Sequence, residues 1–220
     1  MKTALITGAN RGIGLALCKT YLAQGWKVIG LCRTASPELT ASGARVIAGV
    51  DVTDAQALAH LVETLEGESI DLLINNAGIF LHEALGEIDY HNVQQQFLIN
   101  AEAPLRVTEV LLGNLSAGAK IAFITSRMGS IADNSSGGYY GYRMSKAALN
   151  AAAMSLTRDL KPRGIAVAIL HPGYVQTAMV NFGGDISADE SAHRLSQRIA
   201  NLTLENSGSF WHSNGDTLPW

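Results

Sequence analysis

Short apolar runs alternate with helical segments along the whole chain, which predicts an α/β fold on a parallel sheet. Three observations carry this reading. A glycine-rich turn joins the first apolar run, Lys2–Thr7, to the first helical pattern. The run Ile70–Ile74 is unbroken and apolar, as expected of a strand buried between two helical layers. No repeat, low-complexity stretch or linker divides the 220 residues, so one domain is expected over 1–220.

Composition narrows the function classes. At 47% hydrophobic, 16% charged and a net charge of −3, the chain has material for a full core and no basic excess for nucleic acid. No stretch approaches the length of a membrane span, and the N-terminal apolar run is too short for a signal peptide. A cytoplasmic protein is the expectation. The two cysteines, Cys18 and Cys32, fall inside regular patterns and read as buried thiols. The six histidines show no metal-ligand spacing.

Taken in order, Lys2–Thr7 is the first strand, and a helix runs through Leu15, Leu17, Tyr21 and Leu22 to Gly25. Between them lies Gly8-x-x-x-Gly12-x-Gly14. Glycines let a backbone turn tightly and approach a pyrophosphate, whose charge rests on the N–H groups and dipole of the following helix. Lys27–Cys32 is the second strand. A dinucleotide site usually carries an acid near its end for the adenosine ribose hydroxyls. Here Cys32 stands in that place and Arg33 follows, with Arg11 in the glycine loop as a second cation. A missing carboxylate beside two guanidiniums suits a 2′-phosphate, which favours NADP(H) over NAD(H).

Arg45–Val52 is expected as the third strand, ending near Asp51. A helix over about 54–66 follows, with Leu58, Leu61, Val62 and Leu65 as its apolar face. The fourth strand, Ile70–Ile74, ends in Asn75-Asn76-Ala77-Gly78, where the amides cap backbone groups, line a cofactor, or do both. Asp89–Leu112 is a long amphipathic helix with Val93, Phe97, Leu105 and Val107 as core candidates. It contains Asn100, which needs partners if buried, and Pro104, which should bend or interrupt it. Lys120–Thr125 is the fifth strand, ending at Ser126, and 127–138 is a polar loop.

A helix from about Tyr139 to Leu160 opens with Tyr142-Arg143-Met144-Ser145-Lys146. Tyr and Lys four positions apart share one helix face a turn apart. A cation beside a phenol favours the phenolate, and a phenol so tuned exchanges a proton with a carbonyl or alcohol oxygen. Ile165–Leu170 is the sixth strand, and His171 is its structural end. The stretch 174–188 is an irregular substrate loop whose Gly183-Gly184 pair would let it move as a lid. A helix near 188–202 and a strand near 209–211 finish the chain. Leu81, Met128, Tyr139, Tyr174, Met179 and Phe182 are candidates to wall an apolar pocket for a lipophilic carbonyl.

With these motifs assembled, the chain resembles the short-chain dehydrogenase/reductase family along nearly its whole length. The matching items are the glycine turn with Thr7, Asp51, Asn75-Asn76-Ala77-Gly78, Asn100, Ser126, Tyr142-x-x-x-Lys146, and Pro172-Gly173 with Thr177. Within the family it is most similar to the C-factor and sniffer-type carbonyl reductases, through Tyr142–Asn150 and the ending Gly208-Ser209-Phe210 to Trp220. The resemblance implies a doubly wound Rossmann sheet of seven parallel strands and no metal. It implies Tyr142 as general acid/base, Lys146 lowering its pKa and holding the nicotinamide ribose, Ser126 holding the substrate oxygen and Asn100 supporting a relay water. The implied cofactor surface is Gly8, Asn10, Arg11, Gly12, Ile13, Gly14, Arg33, Asp51, Val52, Asn76, Ala77, Gly78, Tyr142, Lys146, Pro172, Gly173, Val175 and Thr177. Ser130 rivals Ser126, because the loop between Ser126 and Tyr142 is longer than the family's usual spacing. The implied activity is NADPH-dependent reduction of a ketone or aldehyde, reversible to alcohol oxidation. The alternative is a dinucleotide-binding signalling protein of C-factor type with little turnover. NAD(H) remains open as a cofactor, and so does assembly into a homodimer or homotetramer.

Overall fold

The computed structural model describes residues 1–220. The elements run β1 (Thr3–Thr7), α1 (Gly12–Ala23), β2 (Lys27–Leu31), α2 (Pro37–Thr40), β3 (Arg45–Ile47), α3 (Ala55–Thr64) and β4 (Leu72–Asn75). There follow α4 (Tyr90–Phe97), α5 (Ala103–Val110), β5 (Lys120–Ile124), α6 (Tyr140–Leu160), β6 (Ala166–His171), α7 (Ala188–Ala200) and β7 (Phe210–His212). All seven strands lie in one sheet in the order β3-β2-β1-β4-β5-β6-β7, and every pairing is parallel. This is a doubly wound Rossmann sheet, whose order reverses between β1 and β4.

The two-residue period of the strands divides the core into two layers. On one face Leu5, Ile29, Leu73, Phe123 and Ile169 pack with Leu58 and Leu61 of α3, Val107 of α5 and Leu149 and Ala153 of α6. On the other, Ala4, Ile6, Val28, Ile74, Ile124 and Leu170 pack with Leu17 and Tyr21 of α1 and Leu195 and Ile199 of α7. Cys18 and Cys32 lie buried and free in this second layer.

Several elements differ from the sequence reading. Strand β3 stops at Ile47, not Val52: Gly49 takes a positive φ, and the turned segment bonds through Gly49 N–H to the Arg33 carbonyl and Val50 N–H to that of Cys32. Val62 does not join the buried face of α3 and is 37% exposed. The Ile70 N–H bonds to the Asn114 carbonyl, so β4 starts two residues later than expected. The short α2 was not expected; Ser36 caps it by accepting from the Leu39 N–H, and Pro37 opens it.

The largest departure is in the long helix expected over 89–112. It is three pieces: α4, a π-helical turn over Leu98–Glu102, and α5. Pro104 has no N–H to give the carbonyl four residues back, that of Asn100, and the Ala103 N–H reaches back five residues to Leu98. The wider turn rotates the two halves relative to each other. Phe97 and Leu105, expected in the core, are therefore exposed, while Asn100 and Val107 are buried. No helix is long and apolar enough to cross a membrane.

Candidate active site

In a parallel sheet the loops after every strand gather at one edge. Here the loops after β1, β2, β4, β5 and β6 bring nearly all of the expected site residues to the carboxyl edge, around the switch point between β1 and β4.

The glycine loop is fixed by its neighbours. Thr7 Oγ1 accepts from the N–H groups of Asn76 and Ala77, both at 3.0 Å. The Asn76 amide donates to the carbonyls of Thr7 at 3.0 Å and Gly8 at 3.3 Å. A Cβ on Gly8 would come within 2.9 Å of Ala77 Cα, and one on Gly14 would overlap the Gly8 carbonyl oxygen. Gly12 faces Thr177 across the crevice, with only 3.3 Å between its place for a Cβ and Thr177 Cγ2. The N-terminus of α1 has no side-chain cap and no acid in its first turn, so its leading N–H groups and dipole face the crevice uncompensated. Arg11 and Arg33 are exposed, and neither makes an ion pair. Asp51 accepts from the backbone and hydroxyl of Thr53, which hold its carboxyl below the usual range, with a smaller contribution from Arg33. Val175 is buried beside this loop system, and Val52 packs against the first core layer. Asn10 and Pro172–Gly173 sit in the same carboxyl-edge loops, and Ile13 is in the first turn of α1.

The second group surrounds the head of α6. Asn100, fully buried on the π-helical turn, accepts from the Ile79 N–H at 2.8 Å and donates to the Ile79 carbonyl at 2.9 Å and Ser145 Oγ at 3.0 Å. Lys146 Nζ donates to the Ile124 carbonyl at 3.0 Å and lies 5.8 Å from the centroid of the Tyr142 ring. Gly78 lies against both, its place for a Cβ 3.0 Å from Asn100 Oδ1 and 3.8 Å from Lys146 Nζ. Ser126, at the end of β5, accepts from the Met128 N–H at 3.1 Å and lies near enough to the Tyr142 phenol to lower its pKa slightly. Ser130, its rival, is buried and turned to its own loop, accepting from the Asp133 N–H.

The electrostatics differ from the expected lowering of the phenol. Burial pushes Tyr142 up to about 12, against a smaller lowering by Ser126. Burial also lowers Lys146 to about 8. Both groups are driven toward their neutral forms, because burial disfavours the charged form of each.

Two features had weak or no sequence signal. Phe80, two residues past Gly78, lies edge-on to Tyr142 at 4.8 Å and stacks on Tyr139 at 5.5 Å, giving the site an aromatic wall. The loop after β6 is pinched by a bridge between Val175 and Ile186, and Gly184 packs so closely that a Cβ would overlap Val175. Gly184 thus serves close packing at the loop's neck. Beyond the neck, Tyr174, Met179 and Phe182 are exposed at the rim, while Leu81 and Met128 are partly buried.

Comparison with known proteins agrees with this architecture. A family model described as short chain dehydrogenase matches residues 2–185. The 1-hydroxy-2-glutathionyl-2-methyl-3-butene dehydrogenase of Rhodococcus sp. (strain AD45) is 38% identical over 226 residues, covering 100% of both chains. C-signal of Myxococcus xanthus is 47% identical over 154 residues, covering 69% of this chain and 93% of its own. Among solved structures, the carbonyl reductase Sniffer of D. melanogaster superposes with a TM-score of 0.93 at 30% identity, covering 100% of both chains. The NADPH-bound carbonyl reductase from chicken fatty liver gives 0.89 at 30%, covering 100% of this chain and 99% of its own.

Proposed function

The chain belongs to the short-chain dehydrogenase/reductase family and is an oxidoreductase; on that premise we propose that it reduces a ketone or aldehyde with NADPH, reversibly, with Tyr142 as the proton donor. The observation that carries this reading is the convergence of Tyr142, Ser126, Lys146 and Asn100 at one edge of the sheet, beside an uncapped helix N-terminus.

The residues present fit a phosphorylated dinucleotide. The uncapped first turn of α1 offers N–H groups and a positive dipole end to a pyrophosphate, and Gly8, Gly12 and Gly14 leave room for close approach. Arg33 and Arg11, free of ion pairs, suit a 2′-phosphate where an acid would repel one. The NADPH in the chicken carbonyl reductase supports the same choice. Asp51 would meet the adenine, Lys146 the nicotinamide ribose and Thr177 the carboxamide. When bound, the cofactor supplies the hydride.

The chain's own residues supply the rest. Ser126 orients the substrate oxygen and the phenol toward each other. Tyr142, held protonated by burial, donates its proton to the oxygen as charge develops there. Lys146, still an ammonium at neutral pH, favours the phenolate left behind. Asn100, its side chain engaged by Ile79 and Ser145, presents its backbone carbonyl where Pro104 cannot bond to it, a place for the relay water that refills the phenol.

The test is NADPH oxidation at 340 nm (a property of the cofactor) against dicarbonyls, quinones, aromatic aldehydes and cyclic ketones, repeated with NADH and with Arg33→Ala. The reading expects turnover with NADPH, and a NADPH-to-NADH preference about tenfold smaller in Arg33→Ala, as for loss of one charge-assisted contact. An unchanged preference would remove Arg33 from the cofactor site. The similarity to C-signal favours a second reading, a dinucleotide-binding signalling protein. Tight NADPH binding without turnover of any carbonyl in the panel would move weight there.

A further inference from the structure

Glu83 is the most buried charged side chain in the protein, 1% exposed, and no lysine, arginine or histidine pairs with it. A carboxyl group with no cation beside it needs hydrogen-bond donors in compensation. Both of its oxygens find one. Oε1 accepts from Nε2 of Gln96, itself fully buried on α4, and Oε2 accepts from the Gly141 N–H at 3.1 Å. The Glu83 carbonyl accepts a third bond, from the Tyr139 N–H at 3.0 Å. Gln96 closes the network by accepting from the Leu81 N–H at 2.9 Å.

These bonds bear on the head of α6. The residue preceding that helix, Tyr139, has a left-handed backbone (φ 53°) and offers no side-chain cap. The Gly141 N–H, one that a local Ser or Asp would satisfy, is satisfied instead from the loop after β4, 58 residues earlier. A carboxylate is also the favoured charge at a helix N-terminus. Gly141 must be glycine for this: a Cβ there would stand 2.5 Å from Gln96 Nε2 and 2.8 Å from Glu83 Oε1. The next residue is Tyr142.

We propose that the buried Glu83–Gln96 pair is a clamp that positions Tyr142, with Glu83 as a positioning residue for proton transfer. The clamp ties three segments together: the loop that carries Gly78 and Phe80, the helix that leads into Asn100, and the first turn of α6. A displacement of that turn by about 1 Å moves the phenol relative to Ser126, enough to cost about 100-fold in rate. Because the clamp's bonds reach the first turn of α6 and none reaches the glycine loop, its loss should lower kcat and leave cofactor affinity alone. The inference rests on the assignment of Tyr142 as proton donor.

The chemistry offers a rescue. In Glu83→Gln one oxygen becomes an NH2, which meets the Gln96 NH2 donor to donor. In the swapped variant Glu83→Gln/Gln96→Glu, the amide at position 83 keeps an oxygen for the Gly141 N–H. Its NH2 then faces the carboxylate at position 96, and that carboxylate still accepts from Leu81.

The experiment measures kcat and KM for 9,10-phenanthrenequinone, NADPH affinity by fluorescence, and hydrogen exchange over residues 139–146. It uses wild type, Glu83→Gln, the swap and Tyr142→Phe. Glu83→Gln should lose about 10- to 100-fold in kcat with KM and NADPH affinity unchanged, and exchange faster over 139–146. The swap should recover most of both losses. Wild-type kcat in Glu83→Gln, or a swap that restores exchange protection without restoring kcat, would overturn the clamp. If Glu83→Gln does not fold, the swap alone decides, since it must then fold and turn over. Exchange is read without turnover, so its failure strikes the clamp, whereas full activity in Tyr142→Phe strikes the proton-donor assignment beneath it.

Discussion

Burial moves Tyr142 and Lys146 in opposite directions, the phenol up to about 12 and the ammonium down to about 8. The Tyr-x-x-x-Lys spacing made the pair legible, because four residues return a helix to the same face. The direction of the phenol's shift was not legible, since it depends on how much protein surrounds the ring. Glu83 was not legible either: one glutamate in a loop reads as a surface charge until Gln96 and Gly141 close over it. His171 shows the same limit more sharply. Expected only as a strand end, it is 7% exposed with Nδ1 unpartnered, and burial lowers its pKa to about 3, helped by His212 and Arg127 and opposed by Asp133. The folded protein then keeps His171 neutral while the unfolded chain takes up a proton below about 6.5. Stability from this group is complete above that pH and is lost as pH falls toward 3, by about 1.4 kcal/mol per unit. Urea denaturation at pH 7 and pH 5 should differ by about 2 kcal/mol from this group, and His171→Phe should remove most of that difference. An equal pH dependence in both proteins would contradict it.

The glycine loop is the element whose sequence and structure agree most closely. Each glycine answers to a contact that a Cβ would break, and Gly14 is the tightest, held between the Gly8 carbonyl and Asn76 Nδ2. Gly14→Ala should weaken NADPH binding at least about tenfold, because the loop must open to admit the methyl group. Fluorescence titration checks this, and wild-type affinity would mean the loop does not hold the cofactor. The helix over 89–112 was legible only in part. Pro104 announced an interruption, but not that a π-helical turn would absorb it or that Phe97 and Leu105 would face outward as a result. In the loop after β6, Gly184 packs against the Val175 backbone, a role that sequence does not distinguish from that of a hinge glycine.

At the scale of the molecule, the parallel sheet and the position of the site at its carboxyl edge followed from alternating strands and helices and from the turn after the first strand. Short elements such as α2 escaped, since four residues carry no period. The outward faces of α4, α5 and α6 leave Phe97, Leu105 and Met144 exposed. Apolar side chains of this size on adjacent helices predict self-association, and light scattering should give a mass above the 23.3 kDa of one chain. A monomer mass at working concentration would contradict that. Comparing wild type with Tyr142→Phe decides whether this fold presents Tyr142 to a carbonyl oxygen as its proton donor. The measurement is kcat/KM for NADPH-dependent carbonyl reduction across pH 6 to 10, with NADPH affinity followed in parallel. The wild-type rate should hold to about pH 8 and decline above it as Lys146 loses its proton. Tyr142→Phe should still bind NADPH and lose about 100-fold or more in rate. Equal rates in the two proteins would remove Tyr142 from the proton-donor role.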